Sequence, residues 1–160
     1  MQAPTHLVAA MLIQVILIFL FPDLDPLILL PLIFITAVLS HILLDCIADI
    51  TYHVPDARPN DKFWLSLHII VYILTVIMLI FFTLEYWIAF LGSMFFDLVD
   101  WILLRAILKK EPLFHPIVDK FRSVFFSWLP NYREEKWAVA NEVIIIGLLA
   151  IGFSIVKLYF

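Results

Sequence analysis

The sequence predicts an all-α fold, a polytopic transmembrane helical bundle that forms a single integral membrane domain over residues 1–160. Three observations point there. Apolar residues make up 64% of the chain against 15% charged, with a mean hydropathy of +1.06. The apolar residues fall into runs of span length separated by short polar connections, and the cationic residues gather on alternate connections.

A soluble domain of 160 residues has too little interior to hide so many Leu, Ile, Val and Phe side chains, whereas lipid accepts them as solvent. The net charge of −4 and pI near 5.6 leave no basic footprint for nucleic acid. A lone cysteine, Cys46, excludes an intramolecular disulfide framework. The first 22 residues carry no Lys or Arg and no Ala-x-Ala-like site, so the first apolar run reads as a retained segment rather than a cleaved leader.

A helical crossing takes roughly 20 apolar residues at about 1.5 Å each. Five runs qualify as about five spans. The first covers Leu7 to Phe21, short enough to be re-entrant, and stops at the turn Pro22-Asp23-Leu24-Asp25-Pro26. The second covers Leu27 to Tyr52, with Pro31 in its first turns, where a missing N–H is tolerable. A polar loop, Val54–Lys62, carries Pro55 and Pro59. The third span covers Phe63 to Thr83, the fourth Tyr86 to Leu108, and the fifth Trp137 to Phe160.

Between the fourth and fifth spans, Lys109–Lys136 has a different character. Phe114, Ile117, Val118, Phe121, Val124, Phe125 and Trp128 recur at helical spacing, while Asp119, Arg122, Ser123 and Ser127 fall elsewhere on the wheel. That pattern predicts an interfacial amphipathic helix.

Orientation follows from the cations. With five spans, one side holds Arg58, Lys62, Arg105, Lys109, Lys110, Lys120, Arg122, Arg133 and Lys136, and the other only Lys157. This bias predicts a multi-pass protein of the inner (plasma) membrane, with its amino terminus cytoplasmic and its carboxyl terminus outside. Trp64, Trp87 and Trp137 each sit near a span end, where interfacial aromatics belong.

Ionisable groups within spans are costly and need partners, water or a metal. His41, Asp45 and Asp49 are spaced i, i+4, i+8, and Asp97 and Asp100 i, i+3, which gives each set one helix face. His6, His68 and Glu142 lie near the start of the first, third and fifth spans. In the five-span topology all of them fall in the inner half of the bilayer, His41 and Asp97 at roughly 16 Å from the inner end and Asp45 at roughly 10 Å. The outer half has only Gln14 near mid-depth and Glu85 at a boundary. No intramembrane Lys or Arg lies near Asp45 or Asp97 to make a plain salt bridge.

Imidazole and carboxylate donors suit a divalent ion such as Zn, Mn or Mg, and such an ion would neutralise carboxylates that cannot all stay ionised together. The candidate ligands are His6, His41, Asp45, His68, Asp97 and Asp100. A metal of this kind supports hydrolysis, with Asp49 or Glu142 as general base. His53 and His115 read as loop residues.

Thr5-His6-Leu7 opening an apolar helix, the turn Pro22-Asp23-Leu24-Asp25, and Ser40-His41-Ile42-Leu43-Leu44-Asp45 together resemble the YdjM type of membrane-bound metal-dependent hydrolases, a bacterial and archaeal inner-membrane family. That family carries an early His, a Pro-Asp-[Ile/Leu]-Asp turn and a later Ser-His-x-x-x-Asp helix in the same order. The likeness covers roughly the first 50 residues and implies a hydrolase with His6, Asp23, Asp25, His41 and Asp45 as candidate ligands. The family's His-Arg-Gly-x-Thr-His-Ser segment is absent here. Turn chemistry accounts for Asp23 and Asp25, and the five-span topology puts them across the membrane from His41, so they stay outside the core site.

The expected function is a membrane-embedded metal-dependent hydrolase acting on a lipid or other amphiphilic substrate from the cytoplasmic leaflet. Two alternatives use the same residues differently: a small ion- or proton-coupled transport protein, and an accessory subunit whose buried polar groups serve helix–helix recognition. Membrane lipids are the expected partners, and oligomerisation could complete a small site.

Overall fold

The computed structural model describes residues 1–54 and 56–159. Pro55, expected in the polar loop, and Phe160, the expected end of the fifth span, lie outside the described residues. All the regular elements among the described residues are helical: α1 (Ala3–Leu20), α2 (Pro26–Cys46), α3 (Lys62–Ser93), a short α4 (Phe95–Asp97) running into a π-helix (Leu98–Ile107), α5 (Phe114–Phe125) and α6 (Val139–Tyr159).

The caps follow from the sequence. Asp25 accepts a bond from the Leu27 N–H at 2.8 Å and Pro26 takes the first helical position of α2, where no N–H is needed. Asp61 caps α3 through the Phe63 N–H at 2.9 Å. A turn over Ala48–Ile50 closes α2, fixed by the Thr51 hydroxyl donating to the Ala48 carbonyl at 2.9 Å.

Four helices are long and apolar enough to cross a membrane: α1, α2, α3 and α6 with its lead-in turn, Lys136–Tyr159. That is one fewer than the five spans the sequence predicts. Residues 86–108, read as the fourth span, do not form a separate long helix. They are shared among the end of α3, α4 and the π-helix. The backbone of α3 is non-helical at Tyr86 (φ −116°, ψ 21°), a kink that joins two helical limbs although no Pro or Gly stands there. Beyond Asp97 the wider i→i+5 pairing replaces the ordinary helix. The second span also ends earlier than expected, at Cys46 rather than Tyr52, so Asp49 sits in the closing turn and not on the His41/Asp45 face.

The helix α1 is the central one. Its Leu7, Ala10 and Met11 pack with Ile33 and Ala37 of α2 and with Tyr86, Ala89 and Phe90 of α3. Small residues allow the close approach that membrane helices need. A Cβ at Gly92 would stand 2.6 Å from the Phe34 carbonyl oxygen, so only glycine fits that crossing. Outward faces remain apolar, as lipid contact requires: α6 has no buried residue, and Leu27, Leu84 and Leu158 are almost fully exposed.

Segment 109–136 holds a helix at α5, with Val118 turned inward and Ile117, Val124, Phe125 and the following Trp128 exposed.

Candidate metal centre

Five side chains from four parts of the chain converge at one end of the bundle. His6 comes from the second turn of α1, where it stacks on His41 of α2 with ring centroids 4.2 Å apart. One helical turn beyond His41, Asp45 reaches both rings: Oδ2 lies 3.1 Å from His41 Nε2 and Oδ1 3.3 Å from His6 Nε2. Oδ1 also accepts from the Met1 amino group at 2.7 Å. Asp97 closes α4 and lies 3.2 Å from His115 Nε2, while that same nitrogen is 3.9 Å from Asp45. His115 stands in the first turn of α5.

The ligand set divides into two overlapping triads, His6/His41/Asp45 and His41/Asp97/His115, whose donor atoms lie within 4.8 Å of one another in each. Donors bound to one tetrahedral zinc at about 2.0–2.1 Å stand about 3.3 Å apart. The His–Asp separations of 3.1, 3.2 and 3.3 Å match that spacing.

Neighbouring groups fix the tautomers. His41 Nδ1 donates to the Ser93 carbonyl at 2.5 Å, so Nε2 carries the lone pair. That Nε2 is buried without a hydrogen-bond partner although it faces a carboxylate, and His6 Nδ1 is likewise orphaned. The His41 Nε2 lone pair and Asp45 Oδ2 are thus two facing acceptors in a buried place, an arrangement that suits a cation on that side of the carboxylate, its other oxygen being paired with the Met1 ammonium. Asp100 plays the same part for His115. Its fully buried carboxylate accepts the His115 Nδ1 proton at 2.8 Å and the backbone N–H groups of Leu113, Phe114 and His115 at 2.8–3.1 Å. It therefore caps α5 and aims Nε2 of His115 at Asp97.

A cavity of about 260 Å³ opens over these residues, lined also by His53, Trp101, Arg122 and Arg133. Its two flanking histidines differ in charge. Burial alone would lower the His115 pKa, but its hydrogen bonds to Asp97 and Asp100 dominate and hold it up to about 9. Burial pushes His53 down to about 4 with too little carboxylate nearby to offset it, so it is a neutral imidazole at pH 7.

The remaining sequence candidates lie elsewhere. His68 stays on the flank of α3, with Nδ1 donating to the Trp64 carbonyl at 2.8 Å and its ring stacked on Trp64. Asp49 is held between Arg122, at 3.3 Å, and Arg133. Glu142 accepts from the Thr5 hydroxyl and, at 3.0 Å, from the Gln2 N–H, and lines a separate apolar cavity between α1, α3 and α6. Asp25 serves as the α2 cap. Asp100 is present at the site, but its oxygens are filled by α5.

His115 corrects the sequence reading of it as a loop residue. Its one local signal was Phe114-His115-Pro116 at the opening of the amphipathic segment, a helix start where backbone N–H groups collect on a carboxylate. Nothing in the spacing said that the carboxylate would be Asp100. Comparison of the chain with protein-family models, curated proteins and solved structures found no match.

Proposed function

We propose that the chain is a membrane-embedded, divalent-metal-dependent hydrolase acting on an amphiphile taken from the cytoplasmic leaflet. The observation that carries this is the buried, unpartnered Nε2 of His41 facing the Asp45 carboxylate, which His6 Nε2 also approaches, with Ser93 holding the His41 lone pair toward it. His6, His41 and Asp45 would hold the ion, with Asp97 and His115 completing the set. When bound, such an ion supplies Lewis-acid activation of water and of a polarised substrate bond.

The protein's own groups do the rest. Asp100 keeps His115 in place, and Asp97 and Asp45 fix the negative side of the site. His53, neutral at pH 7 and lining the same cavity, takes the proton-acceptor role, because Asp49 and Glu142 are engaged elsewhere. Two features support an amphiphilic substrate: α5 carries His115 in its first turn, and its exposed Ile117, Phe121 and Phe125 suit the membrane interface.

Five crossings are part of this reading. The Glu85 carbonyl accepts from Gln14 and its carboxylate pairs with Lys157, near the ends of α1 and α6 remote from the site. Only eight residues later the Ser93 carbonyl meets His41. That change of level supports a return of the chain after Tyr86, with residues 86–107 as a fourth, irregular crossing ahead of α6. The cationic bias then favours the metal centre on the cytoplasmic side.

The test is elemental analysis of protein purified without chelator, beside His41→Ala, Asp45→Ala and His115→Ala. The wild type is expected to hold a divalent ion in near-stoichiometric amount and each variant to lose most of it. Well-folded wild-type protein that takes up no divalent ion would sink the proposal.

A further inference from the structure

The cavity over the His–Asp cluster has a second charged wall that the metal does not explain. Arg122 and Arg133 line it together with His6 and His115. Both guanidinium groups are anchored through Nε to the two oxygens of Asp49, Arg122 at 3.3 Å. A single carboxylate thus holds two guanidinium groups side by side and neutralises only one of them. Asp119, itself well exposed, pairs with the Arg122 terminal nitrogen at 2.7 Å. The four charges balance, but Asp119 is drawn to Arg122, so among the described residues no carboxylate pairs with the terminal nitrogens of Arg133.

The backbone makes this wall firm. The Tyr132 N–H donates to the Asp49 carbonyl at 2.7 Å and the His53 N–H to the Arg133 carbonyl at 2.9 Å, which ties the segment before α6 to the turn after α2. The two side chains are mostly buried, with 15% and 22% of their surface exposed, so the guanidinium groups are held rather than free to sweep solvent. A planar guanidinium with its Nε edge occupied still offers terminal N–H donors, the fork that suits a phosphoryl group.

We propose that Arg122 and Arg133, positioned by Asp49, form the headgroup subsite of the proposed hydrolase and that its substrate class is phosphate-bearing. The inference rests on the metal reading, because the floor of the cavity is acidic and would repel a phosphate until a cation occupied it. With an ion held by the His–Asp cluster, the phosphoryl oxygens would find positive charge from it and hydrogen-bond donors from Arg133, which lines the same cavity. The exposed apolar face of α5, the helix that also carries Arg122 toward the cavity, would then run beside the acyl chains.

The test uses the full chain in neutral detergent, loaded with zinc or manganese, and titrated with dihexanoyl phosphatidic acid, inorganic phosphate and dihexanoylglycerol. Metal content is measured on the same samples. Phosphatidic acid is expected to bind at least tenfold more tightly than the neutral diacylglycerol, and Arg133→Gln to lose that advantage at unchanged metal content. Arg133→Lys keeps the charge opposite Asp49, guards against misfolding, and is expected to recover only part of the affinity. Inorganic phosphate binding as tightly as the lipid would assign the subsite to free phosphate, and weaker binding to the lipid headgroup; both support a phosphate site. Protein that holds metal yet binds the phosphatidic acid no better than the neutral lipid, or equally well in both Arg133 variants, overturns this inference alone. Protein that takes up no metal and binds no phosphate overturns it together with the metal reading.

Discussion

At the scale of single residues the pairing of His115 with Asp97 and Asp100 has a measurable consequence. In the metal-free protein this imidazolium, held by two carboxylates, keeps its proton up to about pH 9. A pKa raised above the ordinary 6.5 contributes stability that is fully present below 6.5 and is lost as pH rises through about 9. A metal must displace the same proton, so uptake and pH are linked with the opposite sign. Metal affinity is expected to rise between pH 6.5 and 9, by at most tenfold per unit from this group, as read by metal titration at fixed ionic strength. His115→Asn should flatten that dependence; an unchanged slope in the variant would assign the proton to another residue. His53 supplies the complementary case. Its lowered pKa means that the folded state gains stability as pH rises from about 4 to 6.5, and His53→Gln should remove turnover while leaving metal content intact. Of these residues the sequence exposed the ones joined by local geometry. His41 and Asp45 are one helical turn apart, and that spacing survives in any helix. His115 depends on a return of the chain over 70 residues from His41, and no periodicity encodes that. Asp49 failed for the opposite reason: the period continued on paper past Cys46, where the helix stops.

Among the elements, α3 carries the strictest requirement. Its bend falls at Tyr86, next to the polar Thr83–Glu85 stretch where the sequence put a boundary between spans, and its far limb lies against α2 at Gly92. The boundary was legible because Glu85 is a charge in an apolar stretch, and Lys157 and the Tyr86 hydroxyl partner it there. The π-helix was not legible, since i→i+5 pairing leaves no pattern in residue type. Gly92→Ala places a methyl 2.6 Å from a backbone oxygen that cannot swing aside. Either α2 or the α3 limb must shift, at a cost of about 1–3 kcal/mol as in other overpacked sites. The limb also carries Ser93, whose carbonyl orients His41, so the variant should lower both the melting temperature in detergent and the metal affinity. Gly147→Ala is the control, because nothing lies within 4 Å of a Cβ there. A Gly92→Ala protein that melts with the wild type would remove the close crossing as a structural constraint.

For the whole molecule, composition alone pointed to lipid as the solvent, and four helices are long and apolar enough to cross a membrane. How often the chain crosses was harder to read, since counting uniform helices yields four while the contacts of α3 favour a return. The two arrangements part at Lys110. If α3 is one crossing and the chain stays on the far side, Lys110 shares a side with Asp23, in the turn between α1 and α2. Yet His115, five residues on, is bonded to Asp100 and lies near Asp45 at the opposite end of α2. A five-crossing chain accommodates that closeness with Lys110 on the same side as Asn60. Single cysteines at Asp23, Asn60, Leu84 and Lys110, each exposed, can be introduced after Cys46, which is buried, is replaced by alanine. In sealed inside-out vesicles an impermeant maleimide should label positions 60 and 110 and spare 23 and 84; right-side-out vesicles should reverse the pattern. Labelling of 110 together with 23 would exclude the return crossing. It would also part His115 from Asp45 by the thickness of the bilayer, so the metal centre and the topology stand or fall on one measurement.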